Sequence, residues 1–302
     1  MKSKLKTIAV LLLACAMLIG LVACALAPEE TPEDGGATEA TAEVTTAAST
    51  KAAPKTVTLK IVSMNAQNAD YDQSGESTIE SKYQKLADAI SEKEPDLVLL
   101  QECNTAVSAE AIRQRMANNT KYALVSEPNA TTMVIYNRES FTLQRQGSQK
   151  IGDKDDENGS AYERYLVWAQ LLHKDLTTPI VVVPIHVDYV TRACKAQLNA
   201  IVEYLKTNFA QIPFILAGDF NADAATVSAT SLSTEGYLNA RETATEKING
   251  DETTFPEKSQ TLDHLWYKRG LVYNATATKY EVIMETLPTD HRPIYVEIVL
   301  SR

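Results

Sequence analysis

Six clusters of polar residues stand beside short apolar runs in this sequence, and their side chains are of types that bind metal ions and phosphate groups. The clusters are Asn65, Gln101-Glu102, His186 with Asp188, Gly218-Asp219-Phe220-Asn221, Asp263-His264 and Asp290-His291-Arg292-Pro293. Strand ends in layered α/β folds bring distant segments together at one cleft. We therefore expect these side chains to share a site.

Hydrolysis of a phosphate ester with the help of a metal ion is the chemistry that these residue types could share. Glu102 and Asn65 offer hard oxygen ligands to a divalent cation, with Asp290 as a further candidate ligand through water. Mg²⁺ fits such ligands best, and Mn²⁺ could substitute for it. Attack on phosphorus also needs an oriented water, a proton acceptor and donors for the charge that grows on the phosphate oxygens.

Three of the polar residues can donate or exchange protons, namely His186, Asn221 and His291, while Asp219 and Asp263 can orient them. Each cluster alone also has a plainer interpretation. The segment from Asp219 to Asn221 could be an Asx turn, and His186 could be a structural histidine. Six clusters in one domain favour the catalytic interpretation, because each plainer interpretation would have to hold independently.

The apolar runs that must position these residues are typical of strands. They cover residues 57–64, 97–100, 133–136, 166–172, 180–185, 214–217, 262–267 and 294–300. One helix is predicted after Ser77-Thr78-Ile79-Glu80, which has the form of a capping box, and a second over residues 198–205. Many strands with few helices between them predict an α/β fold with two packed sheets flanked by helices.

These segments together resemble the endonuclease/exonuclease/phosphatase superfamily of metal-dependent phosphoesterases, from Asn65 to the last strand. The matching motifs are a strand-end Asn, Pro-Asp-x-x-x-Leu-Gln-Glu at 95–102, a strand followed by His186, Gly-Asp-Phe-Asn at 218–221, an Asp before an aromatic strand and Thr-Asp-His-x-Pro at 289–293. The resemblance implies a four-layered α/β sandwich, in which two packed, mainly antiparallel β-sheets are flanked by helices.

The resemblance also implies how the metal and the phosphate would be held. Glu102 would bind the metal ion with the assistance of Asn65, and Asp219 would orient or activate the attacking water. Asn221 and His186 would contact the scissile phosphate. Whether one metal ion or two would bind is left open.

His291, oriented by Asp263, is implied to act as a base or as a donor to the phosphate. The sequence leaves open whether Asp219 or His291 takes the proton from water. Two further candidates for substrate binding are Arg164 and Tyr136. Arg164 could reach a phosphate or form a surface ion pair, and Tyr136 could contact substrate or pack within its strand.

The first 55 residues are typical of an export signal followed by a linker. Three lysines within the first six residues precede an apolar run over 8–21, as in a secretion signal. Leu-Val-Ala-Cys at 21–24 resembles a bacterial lipobox, so we expect Cys24 to carry lipid; an ordinary signal peptide is the alternative. Residues 25–55, rich in Ala, Thr, Glu and Pro, predict a disordered tether. The expected organisation is a signal peptide over 1–24, a tether over 25–55 and a catalytic domain over 56–302.

Charge and cysteine content exclude several classes of protein. A net charge of −10 and a pI near 5.0 argue against non-specific binding to nucleic acid, which depends on clustered Lys and Arg. The four cysteines form no C-x-x-C pair, so a zinc ribbon or a disulfide-rich scaffold is not expected. We expect Cys103 and Cys194 to be buried free thiols, although export would permit a bridge.

Hydrolysis of phosphoester bonds outside the cytoplasm is the function that these patterns favour. We expect a monomeric, Mg²⁺-dependent nuclease anchored to a bacterial membrane by lipid on Cys24. A sphingomyelinase-like enzyme acting on lipid headgroups, or one acting on inositol phosphates, is the alternative. A non-catalytic surface lipoprotein is the third hypothesis, and the number of catalytic residue types argues against it.

Overall fold

A computed structural model describes residues 56–70, 78–209 and 211–302 of the chain. The predicted signal peptide, Cys24 and the predicted tether lie outside the described residues. None of the helices within the described ranges is long and apolar enough to cross a membrane.

Strands make up most of the regular structure. They are β1 (Thr56–Asn65), β2 (Leu97–Gln101), β3 (Tyr122–Val125), β4 (Met133–Asn137), β5 (Phe141–Gly152), β6 (Arg164–His173), β7 (Ile180–His186), β8 (Phe214–Asp219), β9 (Leu238–Asn239), β10 (Glu246–Ile248), β11 (Asp263–Lys268), β12 (Asn274–Val282) and β13 (Ile294–Ser301). The helices are α1 (Ile79–Ser91), α2 (Ala106–Arg115), α3 (Thr191–Asn208), α4 (Ala224–Ser228), α5 (Ser231–Thr234) and α6 (Ala240–Thr243).

Two sheets form the core of the fold. One has seven strands in the order β10-β12-β13-β1-β2-β4-β3, and the other has six in the order β5-β6-β7-β8-β11-β9. Both are mixed: the pairs β1–β2, β10–β12 and β7–β8 are parallel, and the other pairs are antiparallel. The predicted sandwich of two mainly antiparallel sheets flanked by helices is therefore confirmed.

Strands at the centre of each sheet are buried on both faces. In β1, Leu59 and Ile61 pack into the core between the sheets, while Val62 and Met64 pack on the outer side in one cluster with residues of α1 and α2. Residues of β7 likewise divide between the core and a cluster that includes α3. A strand covered on both faces needs apolar residues at almost every position, which explains the continuous apolar runs in the sequence.

Helices close the outer layers, and the N-cap of α1 differs from the predicted one. Its N-cap is Thr78, whose side chain accepts a hydrogen bond from the backbone N–H of Ser81, whereas Ser77 lies outside the described residues. The helix ends at Ser91, before Pro95 could interrupt it. The second predicted helix is the longer α3, and α2 was not predicted.

The direction of the strands places the ends that carry polar residues on one side of the molecule. Parallel β1 and β2 end together at Asn65 and Gln101, and parallel β7 and β8 end together at His186 and Asp219. Antiparallel β11 begins at the same end, since Asp263 pairs with Asp219. Antiparallel β13 pairs its first residues with the end of β1, and β6 begins beside the end of β7.

Candidate active site

A cleft of about 1100 Å³ opens where these strand ends meet. Seven of the predicted site residues line it: Glu102, Arg164, His186, Asp219, Asn221, Asp290 and His291. Two more, Asn65 and Asp263, are buried and contact lining residues through hydrogen bonds. Sequence positions more than 220 residues apart are thus brought to one site, as the motifs predicted.

Asn65 joins the two carboxylates at the centre of the cleft. Its Nδ2 donates to Glu102 Oε1 at 3.0 Å and to Asp219 Oδ2 at 3.1 Å. Its Oδ1 accepts a hydrogen bond from the backbone N–H of Gln67 at 2.9 Å. Asn65 therefore holds Glu102 and Asp219 together through its amide nitrogen, whereas its amide oxygen, which was predicted as a metal ligand, accepts from the backbone of Gln67 instead.

Glu102 adopts a backbone conformation that is unusual for its residue type. Its φ of 56° lies in the left-handed region, which costs a non-glycine residue about 1 kcal/mol or more. Two contacts hold the residue there: the Glu102 carboxylate accepts from the N–H of Asn68 at 2.8 Å, and its carbonyl accepts from Ala69 at 2.8 Å. The side chain, which directly follows β2, is thereby directed into the cleft.

The carboxylates of the cleft form an environment that suits a divalent cation. One ligand atom each from Glu102, His186 and Asp219 lie within 4.8 Å of one another. Burial, with the negative charge of Asp263, raises the pKa of Asp219 to about 7, and burial also raises the pKa of Asp290. Buried carboxylates in close proximity repel one another unless a cation compensates their charge. The donor set of this site therefore fits a hard metal ion.

His186 is held by Arg164, and this contact determines which ring nitrogen carries the proton. Arg164 Nη1 lies 3.2 Å from His186 Nδ1. Because a guanidinium can only donate, Nδ1 accepts, and in the neutral ring the proton is on Nε2. Burial and the positive charges of Arg164 and His291 lower the pKa of His186 well below its ordinary value. The neutral ring can therefore present an N–H donor at Nε2, 3.9 Å from Asp219 Oδ2.

Arg164 itself lies at the cleft, as its assignment to substrate binding requires. The alternative was a surface ion pair with Glu163 or another carboxylate. Glu163 pairs with Lys150, and the negative charges near Arg164 are those of Asp188, Asp219 and Glu102. Arg164 Nε is buried and makes no hydrogen bond to any of the described residues. Its position beside His186 fits a contact with a phosphate group.

His291 and Asp263 form a buried hydrogen-bonded pair. Nδ1 of His291 lies 2.7 Å from Asp263 Oδ2, and Nε2 faces Asp219 Oδ2 at 3.8 Å. Burial disfavours the charged ring, but the negative charge of Asp263 and its hydrogen bond, together with Asp219, raise the pKa of His291 to about 10. The carboxylate thus orients the ring and favours the imidazolium, whose Nε2 points into the cleft.

Three residues outside the predicted catalytic set hold this pair in place, and one of them, Thr289, whose hydroxyl also accepts the backbone N–H of His291 at 3.2 Å, belongs to the predicted motif at 289–293. Phe255 stacks on the His291 ring, with centroids 4.8 Å apart and planes inclined by 28°. The Thr254 hydroxyl accepts the backbone N–H of Asp263 at 3.0 Å, and the Thr289 hydroxyl donates to the carbonyl of Asn65 at 2.7 Å. Thr254 and Phe255 belong to a loop segment without apolar periodicity, so no sequence pattern indicated them.

The turn after β8 directs Asp219 and Asn221. Asp219 Oδ1 accepts the backbone N–H of Asn221 at 2.7 Å, and Asn221 has a left-handed φ of 49°. Asn221 Nδ2 donates to the carbonyl of Val187 at 3.0 Å. The Asx turn offered as the plain interpretation is therefore present, and it positions both side chains at the cleft.

Gly218 is the residue of this turn that leaves no room for a side chain. Its φ is 152°, and a Cβ at this position would lie 2.0 Å from the backbone oxygen of Ile185. We expect Gly218→Ala to lower the free energy of unfolding by about 3 kcal/mol, because β7 and β8 would have to separate. Gly236→Ala is the control: its φ of 79° is also positive, but nothing lies within 4 Å. Equal losses for both variants in urea unfolding would contradict the steric explanation.

Tyr136 does not reach the cleft, which corrects its assignment to substrate binding. Strand β4 runs antiparallel to β2, and Tyr136 pairs with Leu97, the first residue of β2. It therefore lies at the opposite end of the sheet from Glu102, buried in the core between the sheets. Tyr136 therefore packs within its strand, as the alternative interpretation proposed.

The remaining polar residues of the clusters are structural. Gln101 is buried and donates to the Leu99 carbonyl, and His264 bonds to the carbonyl of Ala222. Cys103 and Cys194 are both buried free thiols, as predicted.

Comparison with known families agrees with this geometry. Residues 63–291 match the model of the Endonuclease/Exonuclease/phosphatase family. That range contains Asn65, the first site residue, and ends on His291, the last. No curated protein matches the sequence.

Solved structures similar to this chain share its fold at low identity. An endonuclease/exonuclease/phosphatase family protein from Bacteroides thetaiotaomicron has 19% identity and a TM-score of 0.67, covering 81% of this chain and 98% of that one. A mannosyl-6-phosphatase from the same organism has 18% identity and a TM-score of 0.66, covering 80% and 99%. TDP2 from D. rerio, solved with a single-strand DNA product, has 16% identity and a TM-score of 0.62, covering 80% and 98%.

The family match spans well over half of the chain, and it includes every residue that the structure brings to the cleft. Members of the family are hydrolases that act on phosphoester bonds, and they generally use divalent metal ions. The chain belongs to the Endonuclease/Exonuclease/phosphatase family.

Proposed function

We propose that this chain hydrolyses phosphoester bonds with a divalent metal ion, Mg²⁺ for preference and Mn²⁺ as a substitute. The observation that carries the proposal is the convergence of Glu102 and Asp219, whose carboxylate oxygens lie within 4.8 Å of each other, beside the N–H donor of His186 and the His291–Asp263 pair. Glu102 would hold the metal ion, with Asp219 beside it and Asp290 as a further ligand through water. When bound, the ion would supply Lewis acidity that offsets charge on the phosphate.

The side chains of this site would bind the phosphate, orient the attacking water and transfer a proton. His186, as an N–H donor at Nε2, and Arg164 would contact the phosphate oxygens. Asp219 would orient the attacking water, and Asn221 would add an amide donor. His291 Nε2, fixed by Asp263, is the atom at which the imidazolium can donate a hydrogen bond or deliver a proton. A rigid, buried arrangement of this kind keeps donors aimed at the charge that develops.

Nucleic acid is the substrate that we expected first from the sequence, and the charge of the cleft supports nucleic acid less than it supports a small phosphoester. Among the described lining residues, Arg164 and Lys258 are basic, whereas Glu163 and Asp223 add negative charge beyond the catalytic carboxylates. A long polyanion is bound mainly through clustered Lys and Arg. The fold neighbours include a phosphatase of a phosphorylated sugar as well as TDP2. A small phosphate ester, such as a lipid headgroup, an inositol phosphate or a sugar phosphate, fits the cleft better.

A substrate panel tests the proposed function. The purified full-length chain with Mg²⁺ is offered single-stranded DNA, RNA, sphingomyelin, inositol 1-phosphate and a hexose 6-phosphate, and products are identified by mass spectrometry. We expect hydrolysis of at least one phosphoester, with small esters preferred over DNA and RNA. Turnover no higher than that of His291→Ala on every substrate would contradict the proposal.

We also propose that the catalytic domain acts as a monomer outside the cytoplasm, tethered to a bacterial membrane through lipid on Cys24. The support is the sequence pattern: a basic start, an apolar run and Leu-Val-Ala-Cys at 21–24, followed by a polar linker. Two buried acyl chains would suffice to keep a protein on a membrane.

Replacing Cys24 tests this attachment. Cys24→Ser should release the protein from the membrane fraction or leave its signal uncleaved, because the residue that carries the lipid is lost. Cys15→Ser, within the apolar run, is the control and should stay in the membrane fraction. Mass spectrometry that finds a mature N-terminus elsewhere, without an acyl chain, would contradict the assignment.

A further inference from the structure

Two exposed tyrosines stand at the rim of the cleft beside the residues proposed to contact phosphate. Tyr162 is 54% exposed and Tyr189 is 59% exposed, and both line the cleft. Their rings touch edge to face, with centroids 6.2 Å apart and planes inclined by 69°. Large aromatic side chains side by side in solvent are typical of a binding surface.

A buried carboxylate holds both tyrosine-bearing segments in place. Asp188 is fully buried, and its Oδ2 accepts the backbone N–H groups of Ala161 and Tyr162 at 2.8 and 3.0 Å. Its Oδ1 accepts the N–H of Val190 at 2.9 Å, the residue after Tyr189. One side chain therefore fixes the two loops relative to each other. This preorganisation lowers the entropy that a ligand must overcome on binding the tyrosines.

The tyrosine pair is adjacent to the proposed phosphate contacts. The Arg164 guanidinium lies 5.2 Å from the centre of the Tyr162 ring and 3.2 Å from His186 Nδ1 through its Nη1. A phosphate bound by Arg164 and His186 would have the tyrosines as its neighbours. The group esterified to that phosphate would therefore lie against them.

The lining of the cleft indicates which kind of group fits there. Many lining side chains are uncharged amides and hydroxyls: Asn68, Asn104, Thr131, Thr226, Ser259 and Gln260. Such groups hydrogen-bond to hydroxyls, and an aromatic face packs against the C–H face of a saturated ring. The two tyrosine planes are steeply inclined, so they do not form the parallel slot that would enclose a flat nucleobase.

We propose that Tyr162 and Tyr189 form a platform for the ring of a phosphorylated sugar or cyclitol. The proposal rests on the proposed phosphoesterase function and specifies its substrate as a phosphate ester of a polyhydroxylated ring. Hexose phosphates and inositol phosphates share this chemistry.

The test compares ring-bearing and ringless esters on variants of the full chain. Tyr162→Ala, Tyr189→Ala and their double variant are assayed with Mg²⁺ on glucose 6-phosphate, inositol 1-phosphate, glycerol 3-phosphate and a single-stranded DNA oligonucleotide. The double variant should lose about 10- to 100-fold in kcat/KM on the ring ester that the enzyme prefers, and less than about 2-fold on glycerol 3-phosphate. Comparison of the activities on glucose 6-phosphate and inositol 1-phosphate shows whether the enzyme prefers a sugar or a cyclitol. The Tyr162→Phe and Tyr189→Phe variants keep the rings and should retain activity.

Two outcomes would overturn the platform while leaving the proposed function intact. One is an equal loss on ring-bearing and ringless esters, and the other is a loss confined to an oligonucleotide substrate. Calorimetric binding of the same esters to the double variant and the wild type gives a second readout that does not need turnover. If the wild type binds ring esters no better than the double variant does, the platform is rejected even where hydrolysis is seen.

Discussion

Replacing His291 with alanine should lower kcat by about 10²- to 10⁴-fold, the range typical for loss of a positioned acid, base or donor. The reason is geometric: the ring is fixed by the 2.7 Å contact with Asp263 and stacked on Phe255, so that Nε2 faces the cleft near Asp219. KM should change little, because the interaction contributes mainly in the transition state. Initial rates over a range of substrate concentrations separate the two parameters.

The partner carboxylate supplies the internal test of this prediction. Asp263→Asn should cost less than His291→Ala, and the double variant should be no worse than His291→Ala, because Asp263 acts through the ring that it orients. His173→Gln is the matched control, since His173 ends β6 away from the cleft. Strictly additive losses in log kcat would show that the two residues act separately. Nearly intact activity in His291→Ala would leave Asp219 as the candidate base.

Replacing Glu102 with glutamine should weaken Mg²⁺ binding and lower kcat/KM by about 10³-fold at limiting Mg²⁺. Glutamine keeps the shape of the side chain and can still accept from Asn68, but it removes the charge nearest to the Asn65 amide. Part of the loss should therefore be recovered at high Mg²⁺. Glu110→Gln is the control because it removes the same charge on helix α2, where Glu110 pairs with Arg113. This variant should keep the Mg²⁺ affinity and the kcat/KM of the wild type.

Calorimetry with Mg²⁺ on the folded protein gives a second readout for the Glu102 variant. We expect a measurable heat of binding for the wild type and a weaker affinity for Glu102→Gln. An unchanged affinity together with reduced turnover would place Glu102 outside the metal site and would assign it to water or substrate instead.

The central strands could be predicted from the sequence because a strand that is buried on both faces forms a continuous apolar run. The ends of these strands could be predicted because the polar motifs directly follow the runs. Each of the eight predicted strands is present. Strands β5 and β12 were missed because their exposed faces carry polar residues, which breaks the run. Strands β3, β9 and β10 are four, two and three residues long, too short to show a clear hydrophobic period.

Candidate site residues that belong to motifs could be located from the sequence. For candidates outside the motifs, the direction of the strand decides whether the side chain reaches the cleft. Tyr136 stands at the end of an apolar run, as several cleft residues do, but its strand runs in the opposite direction, which a linear pattern does not reveal. Arg164 reaches the cleft because β6 begins at the end where β7 finishes. Phe255 contacts His291, which is distant from it in sequence, and such a contact leaves no periodic signal.

Dependence of phosphate release on Mg²⁺ is the measurement that tests the central claim most directly. The full-length chain is treated with EDTA, assayed on its preferred ester, and assayed again after Mg²⁺ is added in excess. The proposed site predicts that activity is lost in chelator and restored by Mg²⁺ in the wild type, and restored much less in Glu102→Gln. Undiminished turnover in chelator, or restoration by Zn²⁺ alone, would contradict it.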